Sequence, residues 1–246
     1  MSENITPATS TPAPERLLSI EHLSAWYGPA QALFDVSLHV ARGEVVALLG
    51  SNGAGKSTLL KAIMGLSDQR QGTLRWFGED VSSKATHQIA ASGLGYVPED
   101  RRIFTDLTVL ENLEVGRQAK RDWPDGSAAP CWDADKLFTL FPNLGEMPQR
   151  LGGSMSGGEQ QMLSIARTLM GNPYLLLLDE PSEGVAPVIV EQMVHMILRL
   201  KEQGVSILLS EQNLPFARLV CDRGYVLEKG QIVSSGSIAD LAGETA

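Results

Sequence analysis

Short apolar runs alternate with longer segments of helical periodicity through much of the chain. Residues 44–49, 174–178 and 205–209 each predict a buried strand, because the runs are strand-sized and apolar on both faces. Apolar residues at helical spacing predict helices at residues 58–64, 159–170 and 188–203. Strands that alternate with helices favour an α/β fold whose sheet is mainly parallel and is covered on both faces.

The N-terminal part of the chain departs from this pattern. Residues 1–16 are rich in Ser, Thr, Pro and Ala, which predicts a disordered tail. Residues 18–20 and 36–40 predict two strands, which flank a loop that holds Trp26, Tyr27 and Gly28.

The middle of the chain is predicted to be helical. Apolar residues recur at helical spacing over residues 107–116 and 135–140. Between them, residues 122–133 contain two prolines and a glycine, which predicts a surface loop. This helical region would be an insertion into the α/β core.

Composition and charge limit the classes of function that this chain can have. The 246 residues carry a formal net charge of -9, and an acidic surface argues against a nucleic-acid partner. No apolar run approaches the roughly 18 residues that span a bilayer, and no signal core is present, so we expect a cytoplasmic chain. Cys131 and Cys221 have neither disulfide nor metal-site spacing.

One segment fits the phosphate-loop pattern G-x-x-x-x-G-K-[ST] at every required position, between a predicted strand and a predicted helix. Its glycines would let successive backbone N–H groups face one phosphate chain. The lysine would supply a cation, and the serine a hydroxyl for Mg²⁺. The alternative is a plain glycine turn. The predicted ATP-binding residues of this segment are Gly50, Ser51, Asn52, Gly53, Ala54, Gly55, Lys56, Ser57 and Thr58.

A second segment ends a buried strand in two carboxylates. Four leucines precede Asp179 and Glu180, and the carboxyl end of a parallel strand faces the ligand crevice. We expect Asp179 near Mg²⁺, and Glu180 to activate the attacking water as the catalytic base. Taken alone, the pair could also be a solvated helix start.

A third segment, residues 156–159, resembles a motif that is characteristic of one protein family. Ser156, Gly157, Gly158 and Glu159 resemble the LSGGQ signature motif of ATP-binding-cassette (ABC) ATPases. A Ser-capped helix after a glycine turn is the structural alternative. Where the family motif applies, this turn binds the ATP that is held by the phosphate loop of the opposite subunit in a head-to-tail dimer.

The resemblance covers nearly all of residues 17–236 and implies a fold. It implies a P-loop NTPase (RecA-like) core, an antiparallel β subdomain on the N-terminal side and an inserted helical subdomain. One ABC ATPase domain would then span residues 17–240. Its core would comprise residues 17–99 and 162–240, and its helical subdomain residues 100–161. The family also has an aromatic residue that stacks on adenine, here Tyr27, with Trp26 as a rival.

The chain departs from the common ABC pattern at its switch positions. Glu99 stands where the family usually has a Gln that touches Mg²⁺, and Gln212 stands where it usually has a His. Gln212 cannot carry a proton near neutral pH, so it can act only by positioning, whereas Glu99 could still approach Mg²⁺. The loop after Glu180 also lacks the usual Asp.

These departures resemble one branch of the family, the LivF-type second ATPase subunit of branched-chain amino acid importers. The resemblance implies ATP and Mg²⁺ as cofactors. It also implies a sister ATPase subunit (or a homodimer in isolation), two transmembrane permeases and, indirectly, an external binding protein, at the cytoplasmic face of the inner membrane. Uptake of urea or short amides is the alternative. More distant alternatives are a non-transport ABC ATPase and an ATP-binding scaffold without turnover.

Overall fold

A computed structural model describes the backbone of residues 16–243 and the side chains of residues 16–241. The predicted tail, residues 1–16, lies outside the described residues except for Arg16, which begins the first strand. The strands in the described part of the chain are β1 (Arg16–Tyr27), β2 (Ala30–Ala41), β3 (Val45–Leu49), β4 (Gln69–Trp76), β5 (Glu79–Asp80), β6 (Leu94–Val97), β7 (Leu175–Asp179), β8 (Ser206–Glu211), β9 (Arg223–Glu228) and β10 (Gln231–Ser237). The helices there are α1 (Lys56–Ile63), α2 (Thr86–Ala91), α3 (Val109–Gly116), α4 (Ala134–Leu140), α5 (Pro142–Gly145), α6 (Gly157–Leu169), α7 (Pro187–Glu202), α8 (Leu214–Val220) and α9 (Ile238–Gly243).

The strands form two sheets. The larger sheet has the order β10-β9-β3-β8-β7-β6, in which β6, β7, β8, β3 and β9 run parallel and β10 is an antiparallel edge. The smaller sheet has the order β2-β1-β4-β5 and is wholly antiparallel. This confirms the predicted α/β fold with a mainly parallel sheet and an antiparallel one. The exact division into core and helical subdomains stays a prediction.

The register of the parallel strands determines where polar side chains meet. All five residues of β3 and the four leucines of β7 are buried, as their apolar sequences predict, and Asp179 at the end of β7 is buried with them. At the carboxyl ends, Leu49 is paired with Glu211, and Asp179 is paired with Ser210. The segments that follow β3, β7 and β8 therefore converge at one edge of the sheet.

The N-terminal hairpin corrects one prediction. Trp26 and Tyr27 belong to β1 rather than to a loop, and the turn is reduced to Gly28, with a φ of 52°, and Pro29. The strands are longer than predicted because bulges shift their register and hide the alternation. His22, with a φ of 55°, marks one such irregularity.

The segment 122–133 corrects a second prediction. It contains no helix or strand, as expected of a loop, but Trp123 and Trp132 are buried. Trp123 packs against Phe77 and Tyr174 beside the antiparallel sheet, and the Arg42 guanidinium lies 4.0 Å from its ring centroid. The segment is therefore anchored at both ends by tryptophans, which the proline and glycine content did not indicate.

No helix in residues 16–243 is long and apolar enough to cross a membrane.

Candidate functional site

The predicted phosphate loop connects β3 to α1. Gly53 and Gly55 adopt positive φ values of 80° and 110°, which side chains with a Cβ rarely tolerate. A Cβ at Gly50 would lie 2.4 Å from the Leu227 carbonyl oxygen, so glycine is required there for space. No side chain caps α1, whose first residue is Lys56, so the N–H groups of its first turn face the loop without a competing acceptor.

Lys56 is held inside this loop. Its ammonium donates to the carbonyl oxygens of Gly50 at 2.8 Å and Ser51 at 3.0 Å. It also lies 2.9 Å from Oε1 of Glu180, and the exposed fractions of these two side chains are 2% and 7%. The cation of the loop and the carboxylate that follows β7 are thus an ion pair in this structure.

The Asp179 carboxylate accepts hydrogen bonds from three hydroxyl groups. Its Oδ1 accepts from Ser57 at 2.9 Å and from Ser210 at 2.8 Å, and its Oδ2 accepts from Tyr96 at 3.1 Å. Burial, followed by the charge of Asp179, raises the pKa of Tyr96, so the phenol remains a donor. The structure therefore brings together the two predicted metal ligands, Ser57 and Asp179.

Glu180 has a strained backbone, with a φ of 44°. The Glu180 N–H donates to the carbonyl oxygen of Ser210, at an N···O distance of 3.1 Å, and to its hydroxyl oxygen, at 3.0 Å. Burial pushes the pKa of Glu180 upward, but hydrogen bonds with Glu183 and Lys56 hold it below its usual value. The hydrogen bond to Glu180, with burial and nearby carboxylates, raises the pKa of Glu183 to about 7. The two carboxyl groups therefore influence each other's protonation.

The two predicted switch residues have different neighbours at this centre. Gln212 follows β8, and its Nε2 is 3.5 Å from Oε2 of Glu180, the long end of a hydrogen bond. Glu99 lines a cavity of about 520 Å³ together with Tyr27, Tyr96 and Asp179. A second cavity of about 350 Å³ is lined by residues that include Lys56, Ser57, Thr58 and Glu180.

The signature turn forms the start of α6. The Ser156 hydroxyl accepts from the Glu159 N–H at 3.3 Å, and the Glu159 carboxylate accepts from the Ser156 N–H at 2.6 Å. This reciprocal pair is a capping box, and the hydrogen bond from Ser156 lowers the pKa of Glu159. Neither Gly157 nor Gly158 lines the two cavities of the phosphate loop and Asp179. Within the described residues of this one chain, the structure does not bring the two turns together.

Three residues of the site were missed by sequence reasoning: Tyr96, Glu183 and Ser210. Ser210 contacts the Asp179 carboxylate and the Glu180 backbone N–H, but its role depends on the pairing of β8 with β7, which the sequence does not specify. Glu183 carried a signal, because it lies three residues after Glu180 in a segment already noted as atypical.

Comparisons with known proteins agree with this geometry. A family model described as ABC transporter matches residues 33–183. The chain is 46% identical over 227 residues to the high-affinity branched-chain amino acid transport ATP-binding protein BraG of Pseudomonas aeruginosa, covering 92% of this chain and 94% of that one. It is 37% identical over 221 residues to the lipopolysaccharide export system ATP-binding protein LptB of Haemophilus influenzae, covering 90% of each.

The fold is also shared with a solved structure. A nucleotide-free ATP-binding cassette from an ABC transporter superposes with a TM-score of 0.76 at 28% identity, over 93% of this chain and 95% of that one. The family model spans more than half of the chain, and the relatives are matched over nearly their whole length. The chain therefore belongs to the ABC transporter family, as an ATP-hydrolysing ATP-binding cassette.

Proposed function

We propose that this chain is the ATPase subunit of an importer for branched-chain or other hydrophobic amino acids. The observation that carries the proposal is the 46% identity to BraG over 92% of the chain. Uptake of urea or short amides remains the alternative within the same branch. Export of lipopolysaccharide is a second candidate, because LptB is 37% identical over a similar length.

A deletion strain tests the substrate. Loss of radiolabelled leucine uptake, restored by the parent gene but not by the Glu180→Gln variant, would support amino acid import. Normal leucine uptake with lost urea or acetamide uptake would favour the alternative substrates. A defect in outer-membrane lipopolysaccharide with normal uptake of all three solutes would favour the second candidate.

Within the site, we assign the phosphate-binding role to residues 50–58 and the role of general base to Glu180. The uncapped start of α1 and Lys56 offer N–H groups and a cation to a phosphate chain. Because Lys56 is paired with Glu180 at 2.9 Å, it must turn toward the phosphates when ATP binds. This movement of the Lys56 side chain would free the Glu180 carboxylate to accept a proton from the attacking water.

The residues around Asp179 fit a magnesium ion. The Ser57 hydroxyl and the Asp179 carboxylate meet at 2.9 Å, and both are oxygen ligands of the kind that Mg²⁺ prefers. Two protein ligands are enough, because Mg²⁺ in such sites takes its remaining oxygens from water and substrate phosphates. When bound, the ion would neutralise phosphate charge. Glu99 lines the same cavity as Asp179. Tyr27, in that cavity and 38% exposed, would stack on the adenine.

We propose that a second ATPase subunit supplies the signature turn to this site. Ser156, Gly157, Gly158 and Glu159 form a turn that is stable by itself and line neither cavity of their own chain. A head-to-tail partner, either a sister subunit or another copy, would place such a turn over the phosphate loop. The N–H groups of Gly157 and Gly158 would then face the ATP phosphates.

A groove that adjoins the Asp179 cavity suits the permeases, and Leu66, Tyr96 and Arg102 line both. Leu66, Phe104 and Val115 are large apolar side chains that are 47%, 47% and 54% exposed, and all three line one groove of about 610 Å³. Arg102 and Arg167 also line it, and no carboxylate does. We propose that short cytoplasmic helices of two permease subunits bind this groove, with an external binding protein acting indirectly. The chain would then act peripherally at the cytoplasmic face of the inner membrane.

A further inference from the structure

One buried carboxylate beside the site has no role in the proposed mechanism. Glu211 is the last residue of β8, and only 1% of it is exposed. No Lys, Arg or His lies within ion-pair distance of it in the described part of the chain. Burial, and to a lesser degree the charge of Glu180, raises the pKa of Glu211.

The partners of Glu211 come from two different segments. Its Oε1 accepts the backbone N–H of Ser182, in the loop after Glu180, at 3.2 Å. Its Oε2 accepts the backbone N–H of Asn213, immediately after Gln212, also at 3.2 Å. The carboxylate thus bridges the segments that carry Glu180 and Gln212.

A carboxylate is suited to this bridge in a way that an amide is not. It offers two acceptor oxygens at once, whereas glutamine offers one oxygen and an NH₂ group that would oppose a backbone N–H. Burial of a charge without a cation is unfavourable for folding, so stability alone does not favour Glu at this position.

The neighbours of Glu211 in β8 act on the same centre. Ser210 holds the Glu180 N–H and the Asp179 carboxylate, and Gln212 reaches the Glu180 carboxylate. Three successive residues thus contact Asp179, Glu180 and the loop that follows them.

We propose that Glu211 is a positioning residue for ATP hydrolysis, which fixes Glu180 and Gln212 relative to each other by joining the Ser182 and Asn213 segments. The inference rests on the proposed role of Glu180 as the general base. Glu211 touches neither ATP nor water in this account, so its removal should disturb turnover more than nucleotide binding.

The test compares Glu211→Gln with Glu44→Gln in the assembled transporter. Glu44 is the control, because its carboxylate also accepts a backbone N–H, from Ala41 at 3.0 Å. Unlike Glu211, it pairs with Arg223 at 2.6 Å, and it lies before β3, at the end of the strands opposite to the site. We expect Glu211→Gln to lower kcat about tenfold, the loss expected from one misplaced hydrogen bond, with KM for ATP changed less than about twofold. Amide hydrogen exchange at Ser182 and Asn213 should become faster, and Glu44→Gln should show neither effect.

Two outcomes would overturn the proposal: an unchanged kcat for Glu211→Gln, or equal losses of kcat and nucleotide affinity together with unchanged exchange. If Glu211→Gln fails to fold, Glu211→Asp keeps the charge but is one methylene too short to reach both N–H groups. It must then show the same selective loss of kcat, and parent-like turnover would overturn the proposal. Turnover retained by Glu180→Gln would instead refute the base assignment, independently of the Glu211 result.

Discussion

Two glycine-containing turns begin helices in this protein, and they are built differently. The turn before α1 has glycines at positive φ and no side-chain cap, and it keeps a buried lysine. The turn before α6 has no residue at positive φ and is closed by the capping box of Ser156 and Glu159. No side chain accepts from the N–H groups that begin α1, whereas the capping box of the second turn satisfies the N–H groups of Ser156 and Glu159 and not those of Gly157 and Gly158.

This difference suggests a division of labour. The phosphate loop lies beside Asp179 and Glu180, so one chain contains the groups that we propose bind ATP and hydrolyse it. The signature turn is closed by its own capping box, and it lines neither the cavity beside Asp179 nor the cavity beside Lys56 in its own chain. We propose that it contributes to a site only when a second subunit presents it. The predictions below test each half of that contrast.

The largest effect is expected for Glu180→Gln. The amide cannot accept the proton of the attacking water, so steady-state hydrolysis should fall by roughly 10²–10⁴-fold. ATP binding should persist, because Lys56 and the loop remain. ATPase assays on the assembled complex measure turnover, and a fluorescent ATP analogue measures binding. Normal turnover by the variant would remove Glu180 from the role of base.

Lys56→Ala should weaken ATP binding itself. The variant loses the ammonium that the loop holds beside the phosphate site, and we expect the dissociation constant to rise roughly 10–100-fold, as for the loss of a charged hydrogen bond. Lys84→Ala, on a side chain that is 39% exposed, serves as the control. An unchanged dissociation constant for Lys56→Ala would mean that the phosphate loop is misassigned.

Ser156→Arg should spare binding and block association. A long side chain at this turn would occupy the space proposed for the γ-phosphate, at a cost of about 1–3 kcal/mol, or roughly 5–150-fold in dimer formation. Ser156→Ala is the control, because it removes the cap, worth about 1 kcal/mol of stability, without adding bulk. Light scattering with ATP on a Glu180→Gln background reports the dimer. ATP-dependent dimerisation like that of the parent would exclude the turn from the interface.

Gln212 should have the smallest effect. Its contact to Glu180 is 3.5 Å long, so we expect Gln212→Ala to slow hydrolysis only about threefold to tenfold. Gln212→His should retain more activity and add a titration near pH 6.5 to the pH–rate profile where chemistry limits turnover. An alanine variant that matches the parent at every pH would show that Gln212 plays no part.

The two turns also show what the sequence could predict. Local motifs located both turns and the Asp179-Glu180 pair, because the order of residue types along the chain carries that information. The hydroxyl groups of Ser210 and Tyr96 could not be assigned in this way, since their contact with Asp179 depends on which strands lie side by side. The burial of Trp123 was missed for a similar reason, because its partners lie far away in sequence.

The trans arrangement of the two turns is tested most directly by mixing two inactive variants of the chain. On a Glu180→Gln background, chains with Lys56→Ala and chains with Ser156→Arg should each fail to form ATP-dependent dimers. A mixed head-to-tail dimer would place both defects in one site and leave the other site intact. We therefore predict that mixing restores dimers that hold one ATP each. If mixing restores none, the signature turn does not complete the site of a second chain, and the proposed division between the turns is wrong.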